Sequence, residues 1–281
     1  MSEHEDPARK SSTAPGAWDE FWSGKELVVL EEDDRHWRSV MWHRQFRFWE
    51  ERFSAAPGKS YLECGAGSAQ TSIYFADQGY DCTLLDNSAP GIHMGKCNFQ
   101  RAGREGKFLV GDMCDLPFAD ASFDIVFSDG VLEHFESIEK PIKEMARILK
   151  PGGIFAAEVV PKKLSCQTLG NIEIFLARLA KRILSLRFRR ALSESRGEWE
   201  IYESSIPPDE YVSVLRREGI EDAVSSASSP YPDLSLPRPM AHLYGKIMLK
   251  TGRLWDRFES SSSRLALAWS STFRLYGTKK L

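Results

Sequence analysis

No stretch of this 281-residue chain approaches the ~20 consecutive apolar residues that a membrane-spanning helix needs. The opening run MSEHEDPARKSSTAPG carries charges and turn formers where a secretory leader needs an apolar core, so the expected location is cytoplasmic. Cysteine is sparse and odd in number. Cys64, Cys82, Cys97, Cys114 and Cys166 contain no C-x-x-C pair, which argues against a disulfide framework and a structural zinc site. Positive charge is not in surplus either: a formal charge of −3 gives no overall field for nucleic acid or anionic membrane, leaving only local basic patches. No internal repeat is present. What is there is ordinary globular composition, 42% hydrophobic and 27% charged, which excludes a disordered chain and fits one core with appended segments.

Along the chain, residues 1–16 read as a polar, mobile tail. The stretch 18–53 is then dense in aromatics, with Trp42, Phe46 and Trp49 at the i, i+4, i+7 spacing of one helix face. Docking on the main core explains those three, while Trp18, Trp22 or Trp37 is placed to close over a ligand. After Pro57-Gly58, short apolar runs alternate with amphipathic segments: strands at 60–65, 81–86, 107–112, 123–128 and 153–160, helices at 69–78, 91–101 and 138–149. Strands separated by helices imply crossovers and a doubly wound, mainly parallel α/β sheet, with ligands at the carboxyl ends of the strands. Beyond Pro161, residues 164–191 read as a basic amphipathic helix suited to a lid or, through 175–191, to peripheral membrane contact. Pro207-Pro208-Asp209 and Gly219 bracket a further helix, and strands near 221–226 and 272–277 bring the sheet to seven. The Ser/Pro-rich segment between them has no decisive pattern. The division is therefore a tail and aromatic-rich helical cap (1–57), a core (58–164), a basic helical insertion after the fifth strand (165–205) and a C-terminal part completing the sheet (206–281).

The first strand ends in Glu63-Cys64-Gly65-Ala66-Gly67-Ser68-Ala69, an acidic residue before a G-x-G turn that opens a helix. Such turns follow strands in many nucleotide-binding folds. A dinucleotide site needs a small residue at position 70, where Gln70 stands, which counts against NAD. Asp86 ends the second strand, nineteen residues after Gly67, where a carboxylate can hold ribose hydroxyls in either reading. Asp112, in Val110-Gly111-Asp112-Met113, can accept from an adenine amino group; Ser128-Asp129, Leu132-Glu133-His134-Phe135 and Lys150-Pro151-Gly152-Gly153 follow.

Taken jointly, these residues resemble the class I S-adenosylmethionine (SAM)-dependent methyltransferase family, in its small-molecule, quinone-biosynthesis-like branch, from about residue 61 to 160. The family run has a third glycine where Ala69 stands, a small-for-small exchange that should preserve the turn. The resemblance implies a Rossmann-like sheet and SAM as cofactor. It implies Glu63, Gly65, Ala66 and Gly67 around the methionine moiety, Asp86 and Asn87 at the ribose, and Asp112 with the Met113 backbone at adenine. Ser128 would contribute backbone at the fourth strand end. SAM carries a sulfonium and an ammonium but no phosphate, so acidic residues and bare backbone suit it.

The implied reaction moves a methyl group to an O, N or C atom of a small-molecule or lipid-like acceptor, and a base is needed only if the acceptor loses a proton. His134 is the candidate base, against a structural histidine; His43, Tyr202 and Glu203 stand second. Ser128-Asp129-Gly130-Val131 replaces the Asn/Asp-Pro-Pro-aromatic run of amino-directed nucleic-acid methyltransferases, which disfavours nucleic acid. Arsenic methylation would need Cys64, Cys97 and Cys114 to converge. A SAM-binding sensor or partner subunit without catalysis, and an NAD-dependent oxidoreductase, remain as alternatives.

Overall fold

The computed structural model describes residues 15–23, 25, 36–53, 58–168, 172, 203–234 and 236–281. Two helices come first, α1 (Pro15–Ser23) and α2 (Trp37–Phe53). Then strands and helices alternate: β1 (Ser60–Cys64), α3 (Gln70–Asp77), β2 (Asp81–Asp86), α4 (Ala89–Arg101), β3 (Lys107–Val110), β4 (Phe123–Asp129), α5 (Glu139–Ile148) and β5 (Leu149–Val159). The chain closes with α6 (Pro208–Arg217), β6 (Val224–Ser228), α7 (Arg238–Lys250), α8 (Gly252–Glu259), α9 (Arg264–Trp269) and β7 (Thr272–Thr278). The basic run 178–190 and Tyr202 lie outside the described residues.

The seven strands form one sheet in the order β3-β2-β1-β4-β5-β7-β6. The first five run parallel and β7 runs antiparallel to both β5 and β6. In β1, four of five residues are buried, as a central strand covered on both faces requires. One face packs on α5 and α6, whose stripes Ile142, Met145 and Tyr211, Val214, Leu215 meet Val126, Phe155 and Phe273. The other face packs on α2, α3 and α4, where Trp49, Phe53, Phe75 and Phe99 surround Tyr61 and Phe127. Phe46 and Trp49 are therefore core residues, and Trp42 lies beside Phe46 at a ring separation of 5.6 Å.

β6 begins three residues later than the sequence pattern suggests. Glu221 and Asp222 belong to a turn in which the Asp222 carboxylate accepts from Thr278, and Ile220 forms an isolated bridge with Lys279. The Ser/Pro-rich stretch holds α7, α8 and α9; α7 packs against α2 through Trp37, Val40, Ala241 and Met248. Strand order reverses direction between β1 and β4. Their carboxyl ends diverge there and open the crevice in which such sheets bind ligands.

Candidate functional site

The chain leaves β1 through a tight turn that requires glycine at position 65. Gly65 and Ala66 both donate backbone N–H groups to Leu85 O, at 2.7 and 3.1 Å, pinning the turn to β2. Gly65 has φ +75°, and a Cβ there would fall 2.3 Å from a Val131 methyl, so a side chain is barred by conformation and by space. Gly67 donates its N–H to Asp86 Oδ2 at 2.8 Å, while Ser88 N–H reaches Asp86 Oδ1 at 2.9 Å. Asp86 thus ties the first loop to the second. Its carboxyl is buried, and desolvation raises its pKa despite the two amides, with Asp19 adding repulsion.

Glu63 turns away from the crevice. Its Oε2 accepts from the Ser72 amide at 3.2 Å and from the Ser72 hydroxyl, securing the first turn of α3. Burial pushes its pKa up to about 8, against the opposing Ser72 bond and with Asp129 adding repulsion. Ala69, where the family pattern has glycine, stands at φ 60° as the residue preceding α3.

The crevice encloses about 650 Å³, counting the open solvent at its mouth. Of the residues expected from sequence, Gly65, Asp86, Asn87, Asp112, Met113 and His134 form its wall. Asp112 is exposed, with its Oδ1 accepting from Cys114 N–H at 2.8 Å. Glu63, Ala66, Gly67 and Ser128 stand behind the wall: Ala66 packs in the aromatic cluster, and the buried Ser128 hydroxyl has no hydrogen-bond partner among the described residues. His134 ends a short 3-10 turn, its ring 5.0 Å from that of Trp18. His43 lies on α2 off the crevice wall, its ring bonded to Ser39 O at 2.8 Å. Glu203 is exposed and contributes repulsion at Glu133.

Two groups of residues at the crevice carry less sequence signal. α1 lies across the mouth: Trp18 and Trp22 line it, Asp19 Oδ1 accepts from the Ser88 hydroxyl at 2.8 Å, and Trp22 presses on Gly67 and Gly91. Trp37 instead packs beside α7. Asp129, at the end of β4, also lines the crevice and accepts from Gln45 Nε2 of α2 at 3.1 Å. Desolvation, then the Glu158 charge, raise its pKa to about 7. Its place at the end of the fourth strand was the available signal. Behind Gly130, the buried Glu133 is pushed to about 8 by burial; its Oε1 accepts from Val160 N–H at 3.1 Å, and its Oε2 has no partner among the described residues.

The wall therefore presents Asp86, Asp112 and Asp129, backbone glycines and aromatics, and no Lys or Arg among the described residues. That donor set fits a cationic nucleoside and not a phosphate, which would need N–H donors and positive charge.

The family model described as a methyltransferase domain matches residues 62–157. Among curated relatives, a demethylmenaquinone methyltransferase of Corynebacterium glutamicum is 33% identical over 43% of this chain and 51% of its own length. A malonyl-[acyl-carrier protein] O-methyltransferase of Enterobacter lignolyticus is 27% identical over 55% of this chain and 61% of its own. The chain spans about half the length of the first of these relatives. A Haloferax volcanii methyltransferase solved in complex with its Trm112 activator superposes with a TM-score of 0.54 at 21% identity, covering 97% of this chain and 99% of that one. The last likeness speaks for the fold alone. Sequence motif, sheet order and family match coincide on the same strands: residues 62–157 are similar to the methyltransferase-domain family and lie in a Rossmann-like sheet.

Proposed function

We propose that the chain binds SAM in this crevice and transfers its methyl group to a small-molecule or lipid-like acceptor. The observation that carries the reading is the crevice wall with three carboxylates and, among the described residues, no cationic side chain. Asp86 would hold the ribose hydroxyls, with Asn87 beside it; Asp112 and the Met113 backbone would take adenine; Gly65 and its neighbours would leave room for the methionine moiety. When bound, SAM supplies an electrophilic methyl on a sulfonium. The rest is positioning: holding acceptor and donor in line removes much of the entropic barrier, and Trp18 and Trp22 exclude water from the mouth. Where the acceptor atom carries a proton, a His134 ring nitrogen is the group to receive it. The relatives' names specify a quinone and a carrier-bound malonyl group as their substrates, and an acceptor of that lipophilic, small-molecule class suits the apolar half of this wall.

Calorimetric titration with S-adenosylhomocysteine, with NAD and NADH as controls, tests this. Asp86→Ala should weaken the homocysteine product by about 1–3 kcal/mol, roughly 5- to 150-fold in Kd, through loss of charge-assisted bonds. NAD binding in its place, or unchanged affinity in a folded variant, would overturn the assignment. Binding with no methyl transfer to any quinone or acyl acceptor would reduce the protein to a SAM-binding subunit.

A further inference from the structure

α7 has two apolar faces, and the protein core uses one. Ala241, Gly245 and Met248 are buried towards α2 and Tyr231. On a separate face, Met240, Leu243 and Ile247, spaced i, i+3, i+7, are 54%, 59% and 48% exposed, and Leu254 on the adjoining α8 is 67% exposed. Single exposed apolar residues are ordinary, but a periodic stripe along one helix is not.

The charge around the stripe is one-signed. Between Asp233 and Asp256 there is no acidic residue, while Arg238, Lys246, Lys250 and Arg253 are all exposed. The two bounding aspartates are already engaged, Asp233 with Arg38 and Asp256 with Arg44. Lys246 and Lys250 fall one turn apart on the flank next to the stripe, where long side chains can reach up to headgroups while apolar neighbours sink below them. A stripe flanked by unopposed cations is the pattern of a helix lying in the plane of an anionic bilayer surface. A protein partner would need an acidic, apolar groove; a second copy of this chain would set the same cations against each other across a two-fold axis.

We propose that the α7–α8 face is a docking surface for anionic lipid. α2 lies between α7 and the crevice: it packs on α7 through Trp37 and Val40 and reaches Asp129 through Gln45. Seating α7 on a membrane places the crevice about two helix diameters, roughly 20 Å, from the lipid phase, with α7 and α2 between. No described helix is long and apolar enough to cross a membrane, so this contact is peripheral. It stands whether or not the crevice transfers methyl groups.

The test is co-sedimentation of the full chain with phosphatidylcholine vesicles, with and without about one-third phosphatidylglycerol, a charge density at which each surface cation matters. The chain should pellet with the anionic vesicles only, and less so at high salt. Leu243→Gln/Ile247→Gln and Lys246→Glu/Lys250→Glu should each lower the bound fraction at least tenfold. Both alter exposed side chains, so thermal unfolding should stay unchanged, which separates loss of docking from loss of fold. Three results would overturn the proposal: wild-type protein left in the supernatant, both double variants pelleting like wild type, or sedimentation velocity showing a wild-type dimer that the variants dissociate without any lipid binding.

Discussion

His134 lies on the crevice wall beneath Trp18, its ring mostly buried against that indole. If its ring nitrogen receives the acceptor's proton, His134→Ala should slow turnover about 100-fold or more while leaving affinity for S-adenosylhomocysteine intact. Rates near wild type would assign the ring to packing beneath α1, and Asp129, with its pKa near 7, would become the crevice group able to take a proton. Ala69 shows how a departure from the family pattern is tolerated. A non-glycine residue at φ 60° costs about 1–2 kcal/mol, but its methyl is buried, worth about 0.8 kcal/mol, and it stiffens the unfolded chain by about 0.4–1 kcal/mol. Ala69→Gly should therefore change unfolding free energy by less than about 1 kcal/mol in denaturant titration. A gain of several kcal/mol would mean that the turn is strained.

At the scale of elements, the sheet changes strand direction between β5 and β7. β5 and β7 are antiparallel, and directly paired across them are Glu158 and Arg274, whose Nε donates to Oε1 at 2.9 Å. Both side chains are buried, and the guanidinium also rests on the Phe48 ring at 3.9 Å, linking α2 to β7. Arg274→Ala should cost about 3–5 kcal/mol by leaving Glu158 desolvated and unpaired. Replacing both partners, Arg274→Met with Glu158→Leu, should recover most of that. Equal loss in the single and double variants, measured by chemical denaturation, would show that the stacking on Phe48 matters more than the charge. The pair also acts on the crevice, because the Glu158 charge raises Asp129 and Arg274 lowers it.

For the molecule as a whole, Glu63 and Glu133 near 8 and Asp129 near 7 make folding depend on pH. Each is raised above the roughly 4 of an unfolded carboxylate, so the native state holds more protons in between. The stabilisation they confer is complete below about pH 4 and is lost as pH rises through 7 to 8. Stability should fall as pH rises from about 4 to about 8 and level off above. Glu133→Gln keeps an acceptor for the Val160 amide, and should flatten the decline by on the order of 1 kcal/mol between about pH 6 and pH 8.5. A variant whose profile overlays wild type would show that Glu133 titrates outside this range.

The sheet was legible in the sequence because its causes are local. Period-two and period-3.6 apolar patterns, the glycines at 65 and 67, and acidic residues ending β1 and β2 all act through the backbone of a few neighbouring residues. The candidate cofactor positions Asp86, Asn87, Asp112 and Met113 follow from the same runs, because a strand delivers its last residues to the crevice wherever the sheet reverses direction. What lies across that crevice is another matter. That α1 brings Trp18 and Trp22 over Gly67, while Trp37 goes to α7, depends on surfaces far apart in the chain, and composition alone ranked the three equally. Gln45 meeting Asp129 is decided likewise by the docking of α2. α7 is the clearest case: Ala241, Gly245 and Met248 and Met240, Leu243 and Ile247 are two apolar faces of one helix. Periodicity identifies both, and only the packing of α2 determines which one is left facing outward.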